Sequence, residues 1–221
     1  MTAQANETAR QIVRLLVKAG AIHVSQQQPF VLASGWASPV YVDCRVLIGN
    51  PDIRHAVIEI AAQHMAGLST RFDAVAGGET AGIPFATSLA EKHGLAMRYV
   101  RKRPLGIGRN AQVEGGSVEG LRVLLVDDLI TDGTSKLAFI RGLRSGGAVV
   151  EHSLSIFFNN AFPGAIERLK RVGVFAHALA TWTDVLRSDA GLAPADRATI
   201  ENFLSDPIAW SARHGGRIAR A

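Results

Sequence analysis

The sequence predicts an α/β fold, a central parallel sheet of five strands with helices on both faces. Three observations carry this. Short apolar runs of strand type alternate with helix-spaced stretches of ten or so residues. Glycines stand where the helical spacing stops, at Gly20, Gly94 and Gly146–Gly147. The chain has 221 residues, 48% of them hydrophobic, enough for one ordinary domain with a sizeable core.

Each element follows in order. Thr8–Lys18 has Ile12, Leu15, Leu16 and Ala19 at helical spacing before Gly20. Phe30–Ile48 reads as extended segments broken at Ser34–Gly35 and Ser38–Pro39. Asp52–Met65 is a second helix, Phe72–Gly78 a strand and Gly82–His93 a helix. Leu95–Lys102 is a strand, followed by a long glycine-rich loop over Arg103–Gly120. Leu121–Asp127 is the most apolar strand and Thr134–Ser145 a helix. Val149–Phe158 and Val174–Thr181 are the last strands, with a helix over Phe162–Arg171 between them. Two short helices, from Asp184 and over Pro194–Leu204, lead into a polar tail in which Trp182 and Trp210 read as packing anchors.

Composition excludes several classes. No apolar run approaches the ~18–20 residues of a membrane span. The N-terminal MTAQANETARQIVRLL lacks the basic flank and apolar core of a signal peptide and reads as an amphipathic helix. Cys44 is the only cysteine, so no internal disulfide forms, which suits a reducing cytoplasm; it reads as a small buried apolar group. The seven histidines show no metal-ligand spacing, so no structural metal is expected. The net charge of +5 favours an anionic partner. The basic residues concentrate in Arg98–Arg109, Arg168–Arg171 and the tail, and the last two clusters read as solvated surface. Without interleaved aromatics, at 6% overall, they do not make a nucleic-acid surface.

In such sheets ligands sit at the C-terminal ends of strands. Three ends stand out: Gly77–Gly78–Glu79–Thr80, Arg101–Lys102–Arg103 and Asp127–Asp128. The last opens the stretch VLLVDDLITDGTSK, Val123 to Lys136. Thr131, Gly133, Thr134 and Ser135 lie between strand and helix, where backbone N–H groups and hydroxyls bind phosphate. An ordinary N-cap needs one such residue, and four exceed that need. The adjacent carboxylates would repel a phosphate, but they accept from vicinal hydroxyls or hold Mg²⁺ directly or through water. A phosphorylated sugar such as ribose 5-phosphate carries both groups and removes the conflict. A P-loop is excluded because the chain has no Gly-Lys pair. GIGRNA, Gly106 to Ala111, fits a dinucleotide fingerprint by letters but lies inside a loop. That loop, with Arg101, Lys102, Arg103 and Arg109 among its glycines, suits a cationic lid over a pyrophosphate.

Together these residues resemble the type I phosphoribosyltransferases, whose motif for 5-phosphoribosyl 1-diphosphate (PRPP) is an apolar strand, two acids and a Thr/Gly loop. From about Phe30 to Thr183 the chain is more narrowly similar to the orotate phosphoribosyltransferase family, through FVLASGWASPVYVD, GGETAGIPFA, YVRK, QVEG and SIFFN. The resemblance implies one phosphoribosyltransferase domain over 1–221: an N-terminal helix and small hood over 1–50, a core over 51–183 with the lid at 103–120, and a C-terminal helical extension over 184–221. It implies transfer of the phosphoribosyl group from PRPP to orotate, with Mg²⁺ as cofactor bound mainly through PRPP and water; Asp127 and Asp128 are the candidates for any direct contact. Asp127 and Asp128 would hold the ribose hydroxyls, and Leu129, Ile130, Thr131, Asp132, Gly133, Thr134 and Ser135 the 5-phosphate. Glu79, Thr80 and Ala81, with Arg101, Lys102 and Arg103, would meet the pyrophosphate. Tyr41, Val42, Thr131 and Asn159 would line the orotate site. A cytoplasmic homodimer with the lid shared between subunits is also implied.

The chain departs from the family pattern at named places. Leu105 and Ile107 stand where the lid usually has lysine and histidine, with Arg109 as the compensating cation. Ala33, Ala37 and Ala81 stand where lysines are common, and Asn159 is near the place of an arginine. Two alternatives stay open: an enzyme for another base, or a catalytically weak PRPP-binding regulator.

Overall fold

The computed structural model describes residues 3–104 and 112–217. In chain order the elements are α1 (Ala3–Lys18), β1 (Ile22–Val24), β2 (Phe30–Val31), β3 (Ala37–Ser38), β4 (Val40–Val42), α2 (Val46–Gly49), α3 (Pro51–Ala66), β5 (Ala74–Gly78), α4 (Gly82–His93) and β6 (Ala96–Val100). They continue with β7 (Val113–Glu114), β8 (Arg122–Ile130), α5 (Thr134–Ser145), β9 (Val149–Phe158), α6 (Ala165–Arg171), β10 (Phe175–Thr181), α7 (Trp182–Arg187), α8 (Pro194–Ser205) and α9 (Pro207–Arg213).

The main sheet has six strands in the order β10-β9-β8-β5-β6-β7. The five expected strands are mutually parallel; the sixth, β7, is the returning arm of the lid and pairs antiparallel to β6. Its two residues are too few to show a strand period in the sequence. Alternate residues of the central strands face opposite layers. Val75, Leu124 and Val126 join one core with α1, α3 and α4, whereas Ala74, Ala76, Val123 and Leu125 join another with α5 and α6. Two-sided burial explains the near-continuous apolar runs. The chain steps one way from β5 to β6 and the other way from β8 to β9, so the switch point lies between β5 and β8. A ligand crevice opens there.

Three expectations are corrected. β8 does not stop at Asp127: Leu129 and Ile130 still pair with Phe157 and Phe158, which fixes both acids on a rigid strand. Val46–Gly49 is a helical turn, not extended chain. The C-terminal part holds three helices, the last begun by Pro207 and capped by Asp206. Cys44 and Trp182 are buried, and Trp210 packs edge-on against Phe203 at 5.6 Å between centroids.

The hood consists of two small antiparallel pairs, β1 with β4 and β2 with β3. A C-terminal strap fastens it. The Arg217 N–H donates to Gly35 O at 2.7 Å, and Ser211 Oγ accepts from Ala37 N at 3.0 Å. Trp36 stacks on Phe162 at 4.6 Å, with the Arg217 guanidinium over its ring. Ala37 is fully buried beneath this strap, which leaves no room for a lysine. Toward the opposite ends of β9 and β10, His152 Nδ1 lies 2.9 Å from His177 Nε2, and the His64 ring packs edge-on to His177. Burial pushes His177 down to about 4 and lowers His64. No helix among the described residues is long and apolar enough to cross a membrane.

Candidate active site

Three cavities meet at the switch point. The first, about 460 Å³, runs along Asp127–Ser135 and is closed by Glu79, Thr80, Ala81 and Lys102. The second, about 390 Å³, shares Glu79, Thr80 and Lys102 with it and adds Arg101 and Arg103. The third, about 560 Å³, shares Tyr41, Leu129 and Thr131 with the first and adds Val42 and Asn159. Every site residue expected from the sequence therefore lines one connected cleft, except Arg109, which with Leu105 and Ile107 lies outside the described residues.

Glycines let the walls close. A Cβ on Gly82 would lie 2.4 Å from Val126 O and 2.9 Å from Asp127 Cα, so the start of α4 is seated directly on β8. Gly133 adopts φ +79 and turns the chain into α5, whose N-terminus no side chain caps. Asp132 takes the first N–H, that of Thr134, and the following N–H groups of the first turn are left for an anion. Asp132 shapes the same loop: its carboxylate accepts from Thr134 N at 3.0 Å and from Thr134 Oγ1 at 2.8 Å.

The two acids are unequal. Asp127 is buried; its Oδ2 accepts from Lys136 Nζ at 2.8 Å and its Oδ1 from Asp128 N at 3.0 Å. Asp128 has no salt-bridge partner among the described residues. Burial, then the charge of Asp127, pushes its carboxyl up to about 7. The cationic wall is also structured. The Lys102 N–H donates to Glu79 Oε2 at 2.9 Å, while Arg101 sits 3.8 Å from Glu79 and 3.5 Å from Glu114. Gln112 braces this wall: its Nε2 donates to Arg101 O at 2.8 Å and to Ala138 O of α5 at 3.3 Å. The Glu79–Thr80 peptide bond is cis.

A family model described as the phosphoribosyl transferase domain matches residues 48–172. An orotate phosphoribosyltransferase of Sinorhizobium medicae is 49% identical over 214 residues, covering 94% of this chain and 92% of that protein. The chain belongs to the orotate phosphoribosyltransferase family. A Cereibacter sphaeroides family member is 49% identical over 92% of this chain and 90% of its own. The solved orotate phosphoribosyltransferase of Aeropyrum pernix superposes with a TM-score of 0.69 at 36% identity, covering 80% of this chain and 96% of that one. The Leishmania donovani UMP synthase structure gives 0.76 at 26% identity; the match covers 89% of this chain but 42% of that longer protein. Identity over nearly the whole chain favours orotate over another base and over a regulator.

Sequence reasoning missed several residues that line or brace this cleft, among them four with chemistry to offer. Lys136 and Arg45 line the first cavity, His23 the third, and Gln112 the base of the lid. Lys136 had a signal: it falls in register with Phe139, Ile140 and Leu143, on the buried stripe of α5. A lysine on an apolar stripe needs a buried partner. Arg45 is held by Asp43 and reaches Tyr41 Oη at 3.2 Å, a hood-side cation in the cleft whose neighbour Ala33 has none. Its signal was only the Asp-x-Arg spacing.

Proposed function

We infer that the protein transfers the 5-phosphoribosyl group from PRPP to orotate, giving orotidine 5′-monophosphate and pyrophosphate in pyrimidine biosynthesis. The observation that carries this is the sharing of Leu129, Thr131 and Tyr41 between the cavity of the acid pair and the largely apolar hood cavity. A sugar seated on β8 thereby presents its anomeric carbon toward a base held by the hood.

The 5-phosphate is seated by the loop Leu129–Ser135 at the open N-terminus of α5, and the ribose hydroxyls by the acids. Pyrophosphate lies toward Glu79–Ala81 and the cations Arg101, Lys102 and Arg103, with Arg109 of the lid. Tyr41, Val42, Thr131 and Asn159 flank the base. The bond from the anomeric carbon to the pyrophosphate oxygen breaks, and the bond to the orotate ring nitrogen forms. Charge accumulates on the leaving group, and fixed cations meet it without reorganisation. Closure of the lid keeps water from the cationic sugar. Asp128, free of any cation partner among the described residues, suits a hydrated Mg²⁺ carried in by PRPP; the ion would neutralise the diphosphate. A cytoplasmic homodimer with shared lids belongs to the same reading.

The test is pyrophosphate release from PRPP and Mg²⁺ with orotate, run beside uracil, adenine, guanine and hypoxanthine. Release with orotate alone is expected. Release with another base and not with orotate overturns the assignment.

A further inference from the structure

Lys136 is the largest charged side chain in the core, 1% exposed, and no step above uses it. Its ammonium donates to Asp127 Oδ2 at 2.8 Å and to Leu129 O at 3.0 Å. These acceptors belong to the two ends of the PRPP seat. Asp127 is at the ribose end, and Leu129 is the first residue of the phosphate loop. Asp127 is held from a second side, since its Oδ1 accepts from Asp128 N. The ammonium itself is carried on the first turn of α5, the helix whose N-terminus faces the phosphate.

A buried lysine adds no stability that a well-packed apolar residue would not match, because desolvation consumes the attraction. Its presence on the apolar stripe of α5 therefore calls for a role beyond packing. An ammonium with two short hydrogen bonds fixes its acceptors relative to each other and to the helix. Nothing else ties the Asp127 carboxylate to the Leu129 carbonyl among the described residues.

We propose that Lys136 is a positioning residue that sets the spacing between the ribose-holding acid and the phosphate loop, so that the site recognises the ribose 5-phosphate half of PRPP as one rigid unit. This rests on the seat assigned to PRPP above. Lys136 borders the first cavity but is 1% exposed and gives its hydrogen bonds to the protein. It acts through Asp127 and Leu129, and the pyrophosphate side, built on Glu79 and Lys102, does not depend on it.

The test measures binding of ribose 5-phosphate and, separately, of magnesium pyrophosphate by calorimetry to wild type, Lys136→Met and Lys136→Gln, with melting curves to confirm folding. Lys136→Met should weaken ribose 5-phosphate about 30-fold, within the range for loss of charged hydrogen bonds. Lys136→Gln keeps an uncharged N–H donor group and should lose less, about fivefold. Magnesium pyrophosphate should stay within about threefold for both. A packing role predicts the reverse order, since Met fits an apolar stripe better than Gln. That order overturns the proposal, as does equal loss of both ligands or a folded Lys136→Met with unchanged ribose 5-phosphate affinity. If Lys136→Met does not fold, Lys136→Gln must still show the split between the two ligands. Wild type that binds magnesium pyrophosphate but no ribose 5-phosphate overturns the seat itself, a failure distinct from the others.

Discussion

On the proposed reading, the ribose-phosphate half of the cleft is cut from one run of chain, Asp127 to Lys136, whereas the base half is assembled from residues scattered between His23 and Asn159. The first half sits on β8, paired on both sides by β5 and β9 and underpinned by a buried ion pair. The second hangs on strands of two or three residues held by the C-terminal strap. Rigidity therefore concentrates on the side built on β8. The part that must distinguish bases rests on contacts that are few and distant in sequence.

Four measurements break or sharpen this contrast. The largest effect is expected in the rigid half. Asp128→Asn should lower kcat/KM for PRPP about 10²–10³-fold, the scale of removing one preorganised polar group. The same substitution should raise stability at high pH. Asp128 has a folded value raised to about 7, so its favourable contribution is complete below the unfolded value near 3.8 and is lost as pH rises through about 7. Asp128→Asn should melt above the parent at pH 8 and level with it near pH 4. A lower melting point at pH 8 contradicts the burial argument.

Removing the chain from Asp206 onward probes the flexible half. It should raise KM for orotate about tenfold and KM for PRPP less than twofold, because the strap's contacts run to the hood and to α8, and not to the acid pair or the phosphate loop. Equal rises in both would dissolve the distinction between the halves. Between them lies the lid base: Gln112→Ala should lower kcat about fivefold with little change in melting point, as Arg101 and Lys102 lose their brace. The smallest kinetic effect should come from the far edge of the sheet. His177 is held neutral, its folded value lowered to about 4, so the folded protein loses stability as pH falls from about 6.5 toward 4. His177→Gln should flatten that loss by about 1 kcal/mol, discounted for partial exposure, and leave kcat at pH 7.5 unchanged. Denaturant melts at three pH values would show it; an unchanged slope assigns the acid sensitivity to His64.

The same contrast governs what could be read without coordinates. The helix Gly82–His93, the helix Thr134–Ser145 and the strand Val149–Phe158 were legible to the residue, because glycines bound the two helices and the strand is a run free of glycine and proline. The phosphate loop was legible because its chemistry is local. Arg45, His23 and the strap were not, since each acquires meaning only through partners far along the chain. The prolonged strand at Asp127–Ile130 was hidden by charge: two adjacent acids look like an ending, and it is Lys136, nine residues on, that lets the first of them stay buried in the sheet.

The strap also has a consequence in time. A chain made from its N-terminus holds a finished phosphate loop and acid pair while Ser211 and Arg217 are still unmade. Until those residues arrive, Ala37 and Gly35 lack their partners and the hood has nothing to close against. The contacts that close the hood are therefore the last the growing chain can make, after those of the acid pair and the phosphate loop. A premature stop after Ser205 should therefore leave the sugar-phosphate side of the cleft closer to its full function than the hood side.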